Sequence, residues 1–273
     1  MGKEKLNQFI AYWDDVVRRW FDDDIEKEQQ LFFDLKNRRK ADVLKLSREH
    51  MPEPYNGNPN DCSIVIANYN PGGGADKNKH SYRDRATVEK TLINEVKNSS
   101  YSEVALSFPF IDTPINEDDW WKDYAGSKWW RGKIDWLNKN IIPAFDNAKC
   151  IKKKKPFAIE FCGWHSVSWP GGACTKIYNN EALKPVIDKY FIDVLTDAIK
   201  QSKLKLGICV GAQFYHLFIS KGMKPVKKCE PKESSKYHLY LFEYNGVKIL
   251  SVWGVGYNRY PQIDSGELKK LLR

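Results

Sequence analysis

The sequence predicts an α/β fold: a three-layer α/β/α sandwich around a central, mainly parallel four-stranded sheet, with N-terminal helices in front of it. Three observations predict it. Four short apolar runs rich in β-branched residues each stop at a polar residue or a glycine, and continuous apolar runs of that length suit parallel strands covered on both faces. Stretches with helical periodicity lie between or after them, the alternation expected of a parallel sheet. At 273 residues the chain is long enough for one large domain that buries an ample core without disulfides.

Residues 1–50 read as a helical extension. From Lys5 to about His50, apolar residues such as Phe9, Ile10, Trp13, Val16, Val17, Trp20 and Phe21 recur at helical spacing among charges, which fits two or three helices. The α/β domain takes residues 51–273. It opens on a loop, Met51 to Asp61, marked by Pro52, Pro54, Pro59 and Asn56-Gly57-Asn58. Strands are expected at Ser63 to Ala67 before Asn68, Phe157 to Cys162 before Gly163, Leu206 to Val210 before Gly211, and Val247 to Trp253 before Gly254. Helical patterns cover Ala86 to Lys97, Leu183 to Gln201 and Ala212 to Ser220. Asn245-Gly246, between Tyr237 to Tyr244 and the last strand, reads as a tight hairpin turn that adds an antiparallel neighbour. The run Lys152 to Lys155 reads either as a solvated loop or as a phosphate contact.

Lysine and arginine total 44 against 35 aspartate and glutamate, a formal +9 that favours a polyanionic partner. Ten tryptophans add aromatic surface able to stack bases where it is exposed, although most are expected in the core. The six cysteines have neither a Cys-x-x-Cys pair nor a Cys/His spacing that suggests zinc, and Cys62, Cys162 and Cys209 read as small buried hydrophobes. The start of the chain lacks the apolar core of a signal peptide, and no apolar run is long enough for a bilayer. The expectation is a reduced, cytoplasmic protein, a monomer with no membrane partner.

The most informative segment is residues 62 to 74, Cys-Ser-Ile-Val-Ile-Ala-Asn-Tyr-Asn-Pro-Gly-Gly-Gly. Pro71 ends the ladder, and Gly72 to Gly74 carry no Cβ to block close approach of a ligand. Open α/β folds bind ligands at the carboxyl ends of their parallel strands, where Asn68 and Asn70 fall. An ordinary Pro-Gly turn is the other reading. A second polar break, Gly163-Trp164-His165-Ser166, follows the second strand: His165 can donate to or accept from a ligand, or be a satisfied loop histidine, and Trp164 can pack or stack. In Ser127-Lys128-Trp129-Trp130-Arg131, Trp129, Lys133 and Trp136 can share a core-facing helical stripe, which leaves Lys128, Trp130 and Arg131 for stacking and phosphate contact.

These motifs, in this order over Tyr55 to Arg259, resemble the uracil-DNA glycosylase superfamily. Its members end the first strand with Gly-x-Asp-Pro or Gly-x-Asn-Pro-Gly. Asn68-Tyr69-Asn70-Pro71-Gly72 occupies that place here, with Asn68 where the family has glycine. The resemblance implies that Asn70 positions the attacking water, that Asn68, Tyr69, Pro71, Gly72, Gly73, Trp164, His165 and Ser166 line the base site, and that Cys209-Val210-Gly211-Ala212 packs. The family follows its last strand with a His-Pro-Ser or Asn-Pro-Ser type loop. This chain has Gly254-Val255-Gly256-Tyr257-Asn258-Arg259 instead, whose Tyr257, Asn258 and Arg259 either grip DNA or form an ordinary surface loop.

The implied activity is hydrolysis of the N-glycosidic bond of a flipped, damaged, mismatched or modified base in single- or double-stranded DNA, in base excision repair or phage defence. That chemistry needs no metal or other cofactor. An amide at position 70 orients water but is no base, so catalysis leans on positioning and on stabilising the leaving group. The rival expectation is a nucleic-acid-binding protein on the same scaffold without the chemistry. A phosphate loop is disfavoured by the missing Gly-Lys-Ser/Thr, and a metal nuclease by the reading of Asn116-Glu117-Asp118-Asp119 as a helix start.

Overall fold

Seven strands form the central sheet in the order β1-β3-β2-β4-β7-β6-β5. A computed structural model describes residues 2–25, 50–69, 90–108, 125–145, 155–165, 169, 171–231, 236–255 and 260–273, with the backbone alone for 125–131. The strands are β1 (Tyr55–Asn56), β2 (Ile64–Asn68), β3 (Pro156–Glu160), β4 (Leu206–Val210), β5 (Pro225–Cys229), β6 (Tyr237–Tyr244) and β7 (Val247–Gly254). Neighbours among β3, β2, β4 and β7 pair parallel, and β1, β6 and β5 are added antiparallel. The expected four-stranded sheet is therefore corrected to a mixed, seven-stranded one. The four expected strands lie side by side in its middle because β2, β3 and β4 are fully buried runs that need cover on both faces.

The additions have local causes. Asn245 and Gly246 both take positive φ, 49° and 76°, which a two-residue turn matching the strand twist requires, so β6 folds back onto β7. At the outer edge β5 is short, begins with a proline, shows a register shift and carries Lys227 and Lys228, features that blunt an edge against further pairing.

Helix α1 (Gly2–Phe21) buries Leu6, Phe9, Trp13, Val16 and Val17 along one stripe and leaves Asp15, Arg18 and Asp22 paired on its outer side. Its stripe belongs to the same hydrophobic core as the sheet. Phe9 meets Tyr55 of β1, and Tyr12 stacks on Tyr190 with centroids 4.1 Å apart. The Asp14 carboxylate accepts from the backbone N–H and hydroxyl of Ser102 at the start of α2 (Tyr101–Leu106). The expected boundary at residue 50 adjoins residues 26–49, outside the described residues.

In sequence β3 is preceded by α3 (Ala125–Asn140) and followed by α4 (Ala173–Tyr178) and α5 (Lys184–Ile187). A π-turn, Asp188–Ile192, leads into α6 (Asp193–Gln201), and α7 (Ala212–Ser220) follows β4. Helix α6 sits so close to β4 that a Cβ on Gly207 would lie 2.3 Å from Ile199 Cδ1. On the same side Phe218 of α7 meets Phe242 of β6. Helix α8 (Ser265–Leu272), capped by Asp264 accepting from the Glu267 N–H, ends where Lys248 of β7 donates to the Leu272 carbonyl. Among the described residues no helix is long and apolar enough to cross a membrane.

Candidate functional site

The carboxyl ends of β2 and β3 carry a buried polar network. Asn68 and Glu160 are cross-strand partners at the last rungs of the parallel pair. Past them the chains stay together, because Phe161 N–H donates to the Asn68 carbonyl and Cys162 N–H to the Tyr69 carbonyl. Asn68 Nδ2 donates to Glu160 Oε1 at 3.3 Å, and the Tyr260 hydroxyl donates to Asn68 Oδ1 at 3.2 Å. Lys133 Nζ lies 3.6 Å from the centre of the Tyr260 ring, a cation held against its π face.

Helix α3 fixes that corner. Trp136 packs edge-on against Tyr260 and donates from Nε1 to the Pro261 carbonyl at 2.7 Å, while Asn140 Oδ1 accepts from the Ile263 N–H at 2.8 Å. Residues 260–263, nearly 200 positions after Asn68, are thereby clamped over the strand ends. Of the expected stripe of Trp129, Lys133 and Trp136, Lys133 and Trp136 are buried, the lysine against the site, and the side chain of Trp129 lies outside the described residues.

A second pair adjoins the first. His165 is 3 % exposed and its Nε2 meets Glu53 Oε1 at 3.1 Å. The backbone holds the two in place: Glu53 N–H donates to the Gly163 carbonyl, and Glu160 N–H to the Pro54 carbonyl. The ring of His50 lies 5.3 Å from that of His165.

Glu160 is the unusual member. It is 8 % exposed, and burial pushes its carboxyl up to about 8. The Asn68 hydrogen bond and the Lys133 charge work against burial, and the Glu53 charge works with it. One oxygen receives the Asn68 amide; the other, Oε2, is buried and has no hydrogen-bond partner among the described residues. A carboxyl held neutral into the neutral pH range beside a second carboxylate that is paired with histidine is an arrangement suited to proton transfer.

Of the residues expected at the site, Asn68 and His165 come together at these adjacent strand ends, in the two networks described. Trp164 is 1 % exposed and belongs to the core, so of packing and stacking it packs. Tyr69 turns to the opposite face of the sheet from Asn68, as successive residues of a strand must. There it stacks on Trp169 and packs on Phe214, and its hydroxyl accepts from the Gln213 N–H at 3.0 Å. It is correspondingly a prop for the strand end, a correction to its expected place on the base-site wall. The packing role expected for Gly211 holds, since its position is dictated by Tyr69. Asn70, Pro71, Gly72, Gly73, Ser166, Tyr257, Asn258 and Arg259 lie outside the described residues, as do the side chains of Lys128, Trp130 and Arg131.

Glu53, Glu160 and Tyr260 were not singled out by the sequence pattern, and Lys133 was placed by it only on the core-facing stripe of α3. Of the first three only Glu160 leaves a signal in the sequence: a lone carboxylate closing the apolar run Phe157-Ala158-Ile159. Among the described residues no group of three or more histidine, cysteine, aspartate or glutamate side chains is placed to hold a metal ion. Cys62, Cys162, Cys174 and Cys209 are free and buried, and burial pushes the Cys62 and Cys162 thiols up to about 12, where they are inert at neutral pH. Comparison with protein-family models, with curated proteins and with solved structures returns no match.

Proposed function

We propose that the chain is a DNA glycosylase that hydrolyses the N-glycosidic bond of a flipped damaged, mismatched or modified base, with Asn70 positioning the water. The observation that carries the reading is the buried Tyr260–Asn68–Glu160 network at the carboxyl ends of neighbouring parallel strands, one residue short of Tyr69-Asn70-Pro71-Gly72. A ligand site at that end of a parallel sheet is the general expectation for open α/β folds. The reading takes β3, β2, β4 and β7 as the parallel centre of a three-layer sandwich, in a cytoplasmic protein engaged in base excision, whether as repair or against modified phage DNA.

The chemistry asks for a positioned water, stabilisation of the departing base and exclusion of bulk solvent. Asn68, Glu160, His165 and Glu53 supply fixed polar groups in an apolar surround, where such groups act more strongly than in water. Lys128, Trp130 and Arg131 on α3, with Tyr257, Asn258 and Arg259 ahead of Tyr260, are the proposed DNA contacts.

The test is a panel of oligonucleotides carrying normal, damaged and modified bases, scored for released base by mass spectrometry and for strand breaks after alkali. Base release by the parent, lost at least about a hundredfold in Asn70→Ala while DNA binding survives, is the expected result. DNA retained without any base released turns the reading to a binding protein, which the absent His-Pro-Ser loop favours. Because Lys128, Arg131 and Arg259 are proposed phosphate contacts, log affinity for duplex DNA should fall against log salt with a slope of about −3 from these three alone. A salt-insensitive interaction would exclude DNA as the partner.

A further inference from the structure

The hydrogen bonds around Glu160 have a direction. Tyr260 donates to Asn68 Oδ1, so the amide must present its Nδ2 to Glu160, and Oε1 is committed as an acceptor. When the carboxyl is neutral its proton therefore sits on Oε2, the buried oxygen that has no partner among the described residues. A buried polar atom left unsatisfied forfeits its hydration without recompense, and such atoms in native structures call for an explanation. A donor nine-tenths buried at a strand end, with its sister oxygen locked, is shaped to meet an acceptor that arrives with a ligand.

We infer that Glu160 Oε2 hydrogen-bonds a lone-pair atom on the edge of the bound base and transfers its proton to that base as the glycosidic bond breaks. In the balanced step the C1′–N bond breaks with its electron pair on the base, the Oε2 proton passes to a ring nitrogen or exocyclic oxygen of the base, and the base leaves neutral. Water then adds to the sugar carbon, and its released proton restores the carboxyl. This assignment rests on the glycosylase reading for the transfer step, whereas the base contact stands apart from it.

The charges facing Glu160 decide whether it holds a proton to give. Glu53, from the loop before β1, raises it and Lys133, from α3, lowers it, while Tyr101 and Cys162 are neutral because burial holds both protonated. The net outcome, near 8, keeps the donor loaded at neutral pH.

The experiment uses the full chain and its Glu160→Gln and Glu160→Leu variants. Free nucleobases are titrated calorimetrically between pH 6.5 and 9.5, and excision of the best base from an oligonucleotide is timed over the same range. In the parent, base affinity and excision should both fall about tenfold per pH unit above about 8. Glu160→Gln should bind the base like the parent at pH 7, because an amide still donates a hydrogen bond, but with no pH dependence. It should excise at least about a hundredfold more slowly, because an amide does not give up a proton. Glu160→Leu should lose both. Excision by Glu160→Gln at the parental rate, or base affinity in the parent unchanged across the range, overturns the inference and leaves the glycosylase reading standing. Base bound through Glu160 with nothing released by the parent removes the glycosylase reading and the proton transfer with it, and leaves the base contact.

Discussion

Gly211→Ala is expected to lower stability by about 2–6 kcal/mol and to dislodge the strand end that leads to Asn70. Gly211 follows β4 with φ 111° and ψ 150°, a conformation open in practice to glycine alone and costing on the order of 1–3 kcal/mol for any other residue. Its N–H donates to the Val252 carbonyl, which ties this backbone to β7 and prevents it from relaxing freely. An added Cβ would also lie 1.9 Å from Tyr69 Oη and 2.5 Å from Cζ. The tyrosine cannot swing aside without abandoning Trp169, Phe214 and the Gln213 N–H, and overpacking of this kind typically costs about 1–3 kcal/mol more. Denaturant titration of parent and variant reads the sum. Tyr69→Phe is the control: it removes only the hydroxyl acceptor and should cost about 1 kcal/mol. A Gly211→Ala protein within 1 kcal/mol of the parent would show that the contact yields easily and that Tyr69 is no fixed prop.

That constraint explains what the sequence could and could not disclose. The central strands were legible because each is a continuous apolar run, and the β6–β7 hairpin because Asn245-Gly246 meets the positive-φ demand of its turn. Strand β5 was not, since Pro225-Val226-Lys227-Lys228-Cys229 has neither alternation nor an apolar face; it exists because β6 offers an edge. Tyr69 was misplaced by adjacency to the glycine-rich segment, although the two-residue period of a strand already assigns it to the face opposite Asn68. Asn68 and His165 were legible as polar breaks after apolar runs. Glu160 was hidden inside such a run, where a terminal carboxylate looks like the solvated end of a strand. Tyr260, joined to it through Asn68, is 100 residues further along and is held there by the clamp of α3 on Pro261 and Ile263. No local pattern records a contact of that kind.

Glu160→Gln should make the protein more stable at neutral pH, by about 3 kcal/mol at pH 7, while leaving it unchanged near pH 4. The carboxyl has an ordinary value of 4.5 and is raised to about 8 in the folded chain, chiefly by burial. Between those limits the unfolded chain has released the proton and the folded chain still holds it, so stability falls as pH rises. The contribution is fully present below about 4.5 and has gone once pH passes about 8. At 1.36 kcal/mol per unit, the 2.5 units from 4.5 to pH 7 amount to about 3 kcal/mol. A glutamine keeps an oxygen for the Asn68 amide and has no proton to lose, so the variant escapes the decline. Denaturant midpoints of both proteins at pH 4.5, 7 and 8.5 measure it, and their difference cancels the other titrating groups, Asp15 and Asp188 among them, whose carboxyls lie below the usual range. A difference that stays flat from pH 4.5 to 8.5 would mean that Glu160 is ionised throughout, and its oxygen would then offer an incoming base an acceptor instead of a proton. A difference that opens as expected identifies a group retained at neutral pH against the stability of the fold, the trade that active sites make.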